Sequence, residues 1–457
     1  MKQFEKFIIV IVLIFVTACS DSKGIERTAP EFKSSTPKNN DSNVSIATDF
    51  EVVFDEVIKL APNHNITINN APANVSVSFT KLMFTVDLSY NTSYKINIPK
   101  GSIINTFDIP LNRDIELSFS TQEEPEVSTS MEFVANMGVG WNLGNTLDSK
   151  GNDETVWGNP RATQELINAI SDKGFKTLRV PVTWQYHMGD APNYTIEKDW
   201  LDRVEEVVNY GLSNDMYVII NIHHDEEWVV PSYAKLDKAK DQLGKVWTQI
   251  ANRFKDYNNR LIFETLNETR LKGSPHEWSG GTAEGRDCIN QFHKVSVDAI
   301  RNTGSENAER YIMVSTYAAS ASQQAMDGLV LPSSSNLIVS IHNYFPYDFA
   351  LNENSTNINW GTDAEKQALD FELDKVYRNF ISKGIAVVMG EWGNLNHNNK
   401  EDRIRHAAYY TNGCLKRGIC PIWWDNGNPN EFGIINRKTY ESIYPEIVNA
   451  MVNADKK

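Results

Sequence analysis

Residues 261–268 read Leu-Ile-Phe-Glu-Thr-Leu-Asn-Glu, a short apolar run that ends in an Asn-Glu pair. Residues 386–391, Ala-Val-Val-Met-Gly-Glu, form a second such run, and it also ends in a glutamate. Short apolar runs bounded by polar residues are typical of strands buried within a sheet. The sequence therefore predicts that Glu268 and Glu391 lie at the C-terminal ends of two buried strands.

Similar apolar runs alternate with amphipathic segments from residue 131 to the C-terminus. Strands are predicted at 138–143, 177–180, 217–222, 261–266, 311–314, 337–341, 385–389 and 420–424. Helices are clearest at 163–173, 199–213, 238–256, 286–302, 363–383 and 402–417. This alternation predicts an α/β fold, a (β/α)₈ TIM barrel over residues 131–457.

Residues 44–121 follow a different pattern, with period-two alternation broken by Asn, Pro and Gly. This pattern predicts a small all-β sandwich, and residues 122–130 read as a linker. The segments at 91–99 and 117–121 resemble bacterial Ig-like domains. All eleven Trp lie at or beyond Trp141, so a spacer is favoured over a sugar-binding module, with Tyr90 and Tyr94 leaving binding open.

Residues 1–18 combine two lysines with an apolar run that is too short to span a bilayer, as a signal peptide does. The run ends Val-Thr-Ala-Cys19, which resembles the lipobox of bacterial lipoproteins, and residues 19–43 are predicted to form a flexible tether. The resemblance implies a lipid on Cys19 and an exported protein at the cell surface (outer membrane) or in the periplasm. The alternative is an ordinary cleaved signal in which Cys19 is incidental.

The net charge of −15 would repel nucleic acid and anionic membrane surfaces, so no nucleic-acid partner is expected. We expect a monomer. Besides Cys19 the chain has Cys288, Cys414 and Cys420, too few for a disulfide framework. Cys414 and Cys420 either pair or remain buried, inert thiols.

Polar residues follow nearly every predicted barrel strand, where the active sites of TIM barrels form. The candidates are Asn145, Arg179, His223, His224, Asn267, Glu268, His342, Tyr344, Glu391 and Trp424. Burying so many polar groups is costly unless they pair with one another, so together they indicate a site. Two carboxylates in such a site suit glycosidic bond cleavage, because one donates a proton while the other attacks or stabilises the sugar carbon.

The barrel resembles glycoside hydrolase family 5, in particular its endoglucanase and xyloglucanase branch. The resemblance covers about residues 130–455 and rests on the motifs at 140–148, 178–182, 220–224, 276–281, 341–344 and 423–425. One departure is Thr269, where Pro usually follows Asn-Glu. The resemblance implies a retaining endo-β-1,4-glucanase that acts on cellulose-type β-glucan or xyloglucan through two glutamates.

The resemblance also implies roles for the central residues. Glu268 would be the acid/base, with a raised pKa, and Glu391 the ionised nucleophile. Arg179 and Tyr344 would hold Glu391, and Asn267 would bond the sugar 2-hydroxyl.

His223 and His342 would orient sugar hydroxyls and the carboxylates, and Trp424 would stack against a sugar on the nonreducing side. Glu264 shares strand parity with Glu268 but lies deeper, so it is predicted to be a buried hydrogen-bonding partner. No cofactor and no metal are expected, because side chains of adjacent strand residues such as His223 and His224 point to opposite faces.

Two alternatives remain open. The first is a hydrolase of another β-linked polysaccharide, namely mannan, glucomannan or xylan. The second is a noncatalytic glycan-binding lipoprotein, although binding alone does not require both Glu268 and Glu391.

Overall fold

A computed structural model describes residues 28–46, 48–123 and 129–454. These residues form two compact units, which divide between residues 123 and 124. The predictions that concern the signal peptide and Cys19 lie outside the described residues. No helix in the described ranges combines the length and the apolarity needed to cross a bilayer.

The N-terminal unit is all β. Its strands are β1 (Phe32–Thr36), β2 (Asp41–Val44), β3 (Phe50–Phe54), β4 (Ile58–Leu60), β5 (Thr67–Ile68), β6 (Ala71–Pro72), β7 (Val75–Ser78), β8 (Lys81–Phe84), β9 (Ser93–Ile98), β10 (Ile103–Asn105) and β11 (Ile115–Thr121). They form sheets in the orders β1-β3-β8-β7, β2-β11-β9-β5-β6 and β10-β4. Alternate residues of β9 and β11 are buried in a common apolar core with β3 and β8, so the period-two pattern was a sound guide.

The sandwich begins earlier than predicted. β1 and all but the last residue of β2 lie within the residues 19–43 that were expected to be a flexible tether, and these strands pair with β3 and β11. Most of their side chains are polar and exposed or half-buried, so the hydrophobic pattern gave no signal for them. Main-chain hydrogen bonding holds these strands, and the described part of the predicted tether, from residue 28, therefore belongs largely to the sandwich.

The C-terminal unit is a closed barrel of eight parallel strands. They are β12 (Gly140–Leu143), β13 (Thr177–Val180), β14 (Tyr217–Asn221), β15 (Leu261–Glu264), β16 (Ile312–Ser320), β17 (Leu337–His342), β18 (Ala386–Trp392) and β19 (Ile419–Asp425). Each predicted strand matches one of these in order. The helices are α1 (Thr129–Met137), α2 (Gln164–Asp172), α3 (Lys198–Leu212), α4 (Leu236–Arg253), α5 (Ala283–Asn302), α6 (Gln323–Asp327), α7 (Tyr347–Ala350), α8 (Asp363–Asn379), α9 (Lys400–Lys416) and α10 (Pro445–Val452).

The first helix has a role that the sequence did not reveal. Residues 129 and 130, predicted to belong to the linker, begin α1. Phe133, Val134 and Met137 of this helix pack in one cluster with inward-facing residues of the strands, among them Ile219 and Ile338. The helix thus supplies apolar packing to the N-terminal end of the barrel interior and leaves the opposite end for polar groups.

The three cysteines in the described ranges are free and buried, so Cys414 and Cys420 do not pair. Burial raises the pKa of Cys288 to about 11 and that of Cys420 to about 12. Burial also raises the pKa of Cys414. All three therefore remain protonated thiols at neutral pH, as the second interpretation required.

Candidate active site

Arg179, at the end of β13, joins the predicted site residues. Its Nη1 donates to Glu391 Oε1 at 2.7 Å and to Asn142 Oδ1 at 2.9 Å. Its Nη2 donates to Asn267 Oδ1 and to Glu264 Oε2, both at 2.7 Å. The guanidinium is fully buried between two carboxylates, so its fixed positive charge stabilises both of them as anions.

Glu264 lies one layer below the catalytic candidates, as strand parity predicted. Its Oε2 accepts a hydrogen bond from Asn221 Nδ2 at 2.8 Å in addition to those from Arg179. Its Oε1 accepts one from Ser340 Oγ at 2.6 Å. The side chain is fully buried and hydrogen-bonded through both oxygens, so it supports Arg179 and does not face the substrate cavity.

The two glutamates at the strand ends are close together. One carboxylate oxygen of Glu268 and one of Glu391 lie within 4.8 Å of each other and of a ring nitrogen of His342. His342 Nδ1 is 2.9 Å from Glu268 Oε1 and 3.6 Å from Glu391 Oε2. Tyr344 donates its hydroxyl to Glu391 Oε2 at 3.0 Å. This spacing is compatible with retaining glycosidases, whose two carboxyl groups lie about 5–5.5 Å apart, and it is shorter than inverting enzymes need to hold a water between them.

Glu268 and His342 shift each other's pKa. Burial tends to raise the pKa of Glu268, but the hydrogen bond and charge of His342, together with the charge of Arg270, lower it overall. Burial tends to lower the pKa of His342, but the charge of Glu391 and the hydrogen bond to Glu268 raise it overall. The prediction of a raised pKa for Glu268 is therefore wrong for this structure, because the hydrogen bond and the charge of His342 outweigh the effect of burial.

The strand ends open into a cavity of about 870 Å³. Eight of the predicted site residues line it: His223, His224, Asn267, Glu268, His342, Tyr344, Glu391 and Trp424. Arg179 lies behind them and acts through Glu391. Among the described residues, Asn145 is the one candidate that neither lines this cavity nor contacts a carboxylate of the pair. Its main chain has a positive φ of 53°, and its N–H donates to Asp148, so it shapes the turn after β12.

Trp424 is held in place by the turn that contains Asn145. A Cβ on Gly144 would come within 2.8 Å of the Trp424 ring, so only glycine allows this approach. The next residue, Asp425, accepts Trp141 Nε1 and pairs with Arg437 at 3.1 Å, all in the protein interior. The indole is therefore presented to the cavity by a rigid support, as a sugar-stacking surface requires.

Several cavity residues were not among the predictions. Trp278, Tyr347 and Phe432 also line the cavity, and the Trp278 side chain is 61% exposed. Arg270 stacks on the Trp278 ring at 4.1 Å and donates to the main-chain oxygen of Glu268 at 3.0 Å. Trp278 and Phe432 lie in loops after the strands, and Tyr347 begins the short helix α7. Hydrophobic periodicity gives no signal for such short segments. The motif at 276–281 was the only hint of one of them.

The argument from strand alternation that His223 and His224 point apart was wrong. Their ring centroids are 4.4 Å apart, and ligand atoms of Asp148, His223 and His224 lie within 4.8 Å of one another. Alternation does not apply because β14 ends at Asn221, before either histidine. Both oxygens of Asp148 already accept main-chain N–H groups, at 2.7 and 3.0 Å, so this group is satisfied internally.

Comparison with known proteins agrees with this geometry. The model of the cellulase family, described as glycosyl hydrolase family 5, matches residues 140–430, and that of a bacterial Ig-like domain matches residues 26–121. The chain belongs to glycoside hydrolase family 5. It is a glycoside hydrolase with a TIM barrel and an N-terminal Ig-like domain, as the sequence motifs implied.

Individual family 5 proteins match the barrel closely. Endoglucanase B of Clostridium cellulovorans is 48% identical over 332 residues, covering 71% of this chain and 75% of the relative. The cellulase/esterase CelE of Acetivibrio thermocellus is 48% identical over 330 residues, and the match spans only 40% of its length.

Solved structures of the family match equally well. ZgEngAGH5_4, solved in complex with a cellotriose, is 58% identical and has a TM-score of 0.70, covering 72% of this chain and 98% of that one. A GH5-4 broad specificity endoglucanase from Clostridium acetobutylicum is 49% identical and has a TM-score of 0.70, covering 71% of this chain and 99% of that one.

Proposed function

We propose that this family 5 protein is an endo-β-1,4-glucanase that hydrolyses β-glucan or xyloglucan with retention of anomeric configuration. One observation carries the mechanism: oxygens of Glu268 and Glu391 lie within 4.8 Å of each other, with His342 against both. The relatives named endoglucanase, at 48–58% identity in the barrel, support the substrate class.

The first step forms a covalent glycosyl-enzyme. Glu391 attacks the anomeric carbon, and Arg179 and Tyr344 hold the carboxylate in position, each through one of its oxygens. As the glycosidic C–O bond breaks, Glu268 delivers a proton to the leaving oxygen. In the free enzyme this proton is bound by the Glu268–His342 pair, in which the pKa of His342 is raised by Glu391 and Glu268. Asn267, held by Arg179, is placed to bond the sugar 2-hydroxyl.

The second step releases the sugar. Glu268, now a carboxylate, takes a proton from water while that water attacks the anomeric carbon and the bond to Glu391 breaks. In the covalent intermediate Glu391 carries no charge, which removes one of the causes that raise the pKa of His342. Two inversions at one carbon give net retention.

Product analysis tests the proposal directly. The protein is incubated with β-glucan, xyloglucan, glucomannan, mannan and xylan, and the products are sized by chromatography. We expect oligosaccharides of mixed length from the first two polymers, and a β-anomer as the first product seen by proton NMR. Faster release from mannan or xylan would contradict the substrate class. A first α-anomer would contradict retention.

We propose that the protein is an exported lipoprotein anchored through Cys19. The support is the apolar run before Cys19 and its resemblance to a lipobox. Two or more acyl chains would hold the protein stably at a membrane, whereas one chain would bind only marginally. Cys19→Ala should move the protein from the membrane fraction to the soluble fraction, as checked by immunoblot. Unchanged fractionation would contradict the anchor.

We propose that the Ig-like sandwich serves as a spacer between the anchor and the barrel. One of its two candidate sugar-binding tyrosines is a core residue: Tyr94 is 6% exposed, stacks on Phe119 at 5.2 Å and accepts the main-chain N–H of Ser89. A buried ring offers no face to a sugar. Tyr90 is half-buried and remains the other candidate. Affinity electrophoresis of the sandwich on each polymer tests it, and a spacer should show no retardation.

A further inference from the structure

Two neighbouring histidines at the cavity are held by different partners. Asn221, at the end of β14, has its amide orientation fixed, because Oδ1 accepts Val182 N at 3.0 Å and Nδ2 donates to Glu264 Oε2 at 2.8 Å. The same Nδ2 lies 3.1 Å from His223 Nδ1. An amide nitrogen is only a donor, so His223 Nδ1 must accept. The ring proton of neutral His223 is therefore on Nε2.

The second histidine faces the opposite kind of partner. His224 Nδ1 lies 3.4 Å from Oε1 of Glu226. Glu226 is also bound by Lys150 and Lys272, each at 3.2 Å, and its side chain is 9% exposed. A carboxylate between two ammonium groups is ionised and can only accept hydrogen bonds. His224 Nδ1 therefore carries the proton, and Nε2 of neutral His224 is a hydrogen-bond acceptor.

We propose that Glu226 is a positioning residue that makes His224 a hydrogen-bond acceptor next to the donor His223. The pair then presents one donor and one acceptor to two neighbouring hydroxyls of a bound sugar. This inference rests on the proposed glycan hydrolysis, because both rings line the same cavity as Glu268 and Glu391. It extends that function by naming the arrangement of sugar hydroxyls that the site recognises.

The pattern suits a vicinal diol. One hydroxyl donates to His224 Nε2, and the neighbouring hydroxyl accepts from His223 Nε2–H. Two histidines with the same tautomer would instead favour two donors or two acceptors on the sugar. Fixing the tautomer through the other ring nitrogen is a general way in which a protein sets the role of an imidazole.

The position of Glu226 is fixed by contacts with several loops of the barrel. Lys150 follows β12, Glu226 follows β14 and Lys272 follows β15, so one carboxylate ties together loops from three strands. The edge of Trp157 also packs against the His224 ring, with centroids 5.6 Å apart. Its neighbour Glu227 is exposed and provides a matched control.

The test uses the full-length protein and has two readouts. Nitrogen-15 NMR of the imidazole rings, without substrate, should show His223 protonated at Nε2 and His224 at Nδ1. In Glu226→Met, His224 should lose its preference for Nδ1, and kcat/KM on soluble β-glucan should fall by about tenfold, mainly through KM. Glu226→Gln keeps an acceptor oxygen and should restore the tautomer and much of the activity. Glu227→Met should match the wild type in both readouts.

Two results would overturn the proposal. One is a wild-type spectrum with the proton of His224 on Nε2. The other is a folded Glu226→Met variant with unchanged tautomer and KM. If Glu226→Met fails to fold, the wild-type spectrum and Glu226→Gln still decide. The NMR assignment needs no substrate, so it separates failure of this inference from failure of the proposed hydrolysis.

Discussion

The two units of this chain differ in whether they bury charged side chains. Among the described residues of the sandwich, the buried polar side chains are Ser35, Ser102, Asn105 and Thr121, and none is charged. The barrel buries Arg179, Glu264 and Glu391 in direct contact, with Asp425 and Arg437 paired nearby. An isolated buried ion is strongly unfavourable, so these groups are tolerated only as a connected network.

The two units also differ in where their apolar and charged side chains lie. The sandwich core is apolar, and its polar atoms are mainly in the exposed alternate positions of its strands. The interior of the barrel has an apolar cluster at the end where α1 packs, and the ionic network lies at the carboxyl ends of the strands. Charge fixed before substrate arrives needs no reorganisation during the reaction, which is how a preorganised site favours a transition state. Removing single charges should therefore affect the two units very differently.

The largest expected effect is on Glu391. Replacing it by Gln removes the nucleophile and one anionic partner of Arg179 while keeping the side-chain shape. Turnover should fall by about 10⁴-fold or more on every substrate, as for other catalytic nucleophiles. Reducing-sugar assays on β-glucan and absorbance assays on an aryl cellobioside measure this. Activity above a few per cent on either substrate would show that another group attacks the sugar.

Glu268→Ala should discriminate between substrates. Polysaccharide hydrolysis needs a proton at the leaving oxygen and should be nearly abolished, because Glu268 is the carboxyl placed against His342 to supply it. An aryl glycoside with a good leaving group needs no such proton, so formation of its glycosyl-enzyme should persist as a burst of phenolate. Equal losses on the two substrates would contradict the assignment of acid and nucleophile.

The third prediction compares one glutamate from each unit. Glu264→Gln breaks a fully buried ion pair with Arg179, which should lower the free energy of unfolding of the barrel by about 3–5 kcal/mol. Glu51→Gln breaks the exposed Lys81–Glu51 pair of the sandwich, for which a change of about 0–1 kcal/mol is expected. Urea unfolding followed by Trp fluorescence reports the barrel, because all eleven Trp lie at or beyond Trp141. Calorimetry reports both. Similar losses in the two variants would remove the contrast between the units.

Much of the fold could be predicted from the sequence wherever buried residues form a regular apolar pattern. Each of the eight predicted barrel strands matches an observed strand, because parallel strands covered on both faces are continuous apolar runs. β16 continues to Ser320, beyond the predicted end at residue 314. The prediction stopped early because most of its last residues are small or polar, and the register with β17 shifts there. β1 and β2 were missed for a similar reason.

The site was predictable where residues directly follow strands and not where loops decide. Glu268, Glu391 and their partners follow from strand ends, because parallel strands of a barrel bring those ends together. Trp278 reaches the cavity, and Glu226 reaches His224, through loop conformation, which periodicity does not encode. The lowered pKa of Glu268 depends on a hydrogen bond from His342, 74 residues away in the chain. No local pattern reveals such a contact.

The smallest expected effect comes from removing the sandwich. A chain that begins at Ser128 keeps all of α1, so Phe133 and Met137 still pack into the barrel interior. The solved family 5 structures also match this barrel over 98–99% of their own chains, which shows that such barrels exist without a sandwich. We therefore expect nearly unchanged kcat/KM on soluble β-glucan and an unchanged far-UV signal from the barrel.

A chain that begins at Gly138 is the matched control, because it lacks the sandwich and also α1. Losing the burial of Phe133 and Met137 should cost about 1.5–3 kcal/mol for each side chain, so this shorter chain should melt at a clearly lower temperature. If the chain from Ser128 stays folded but loses most of its activity on soluble glucan, the sandwich contributes to the substrate site. In that case the division between a spacer with an apolar core and a catalytic unit with buried charges would be wrong, because activity would depend on both units.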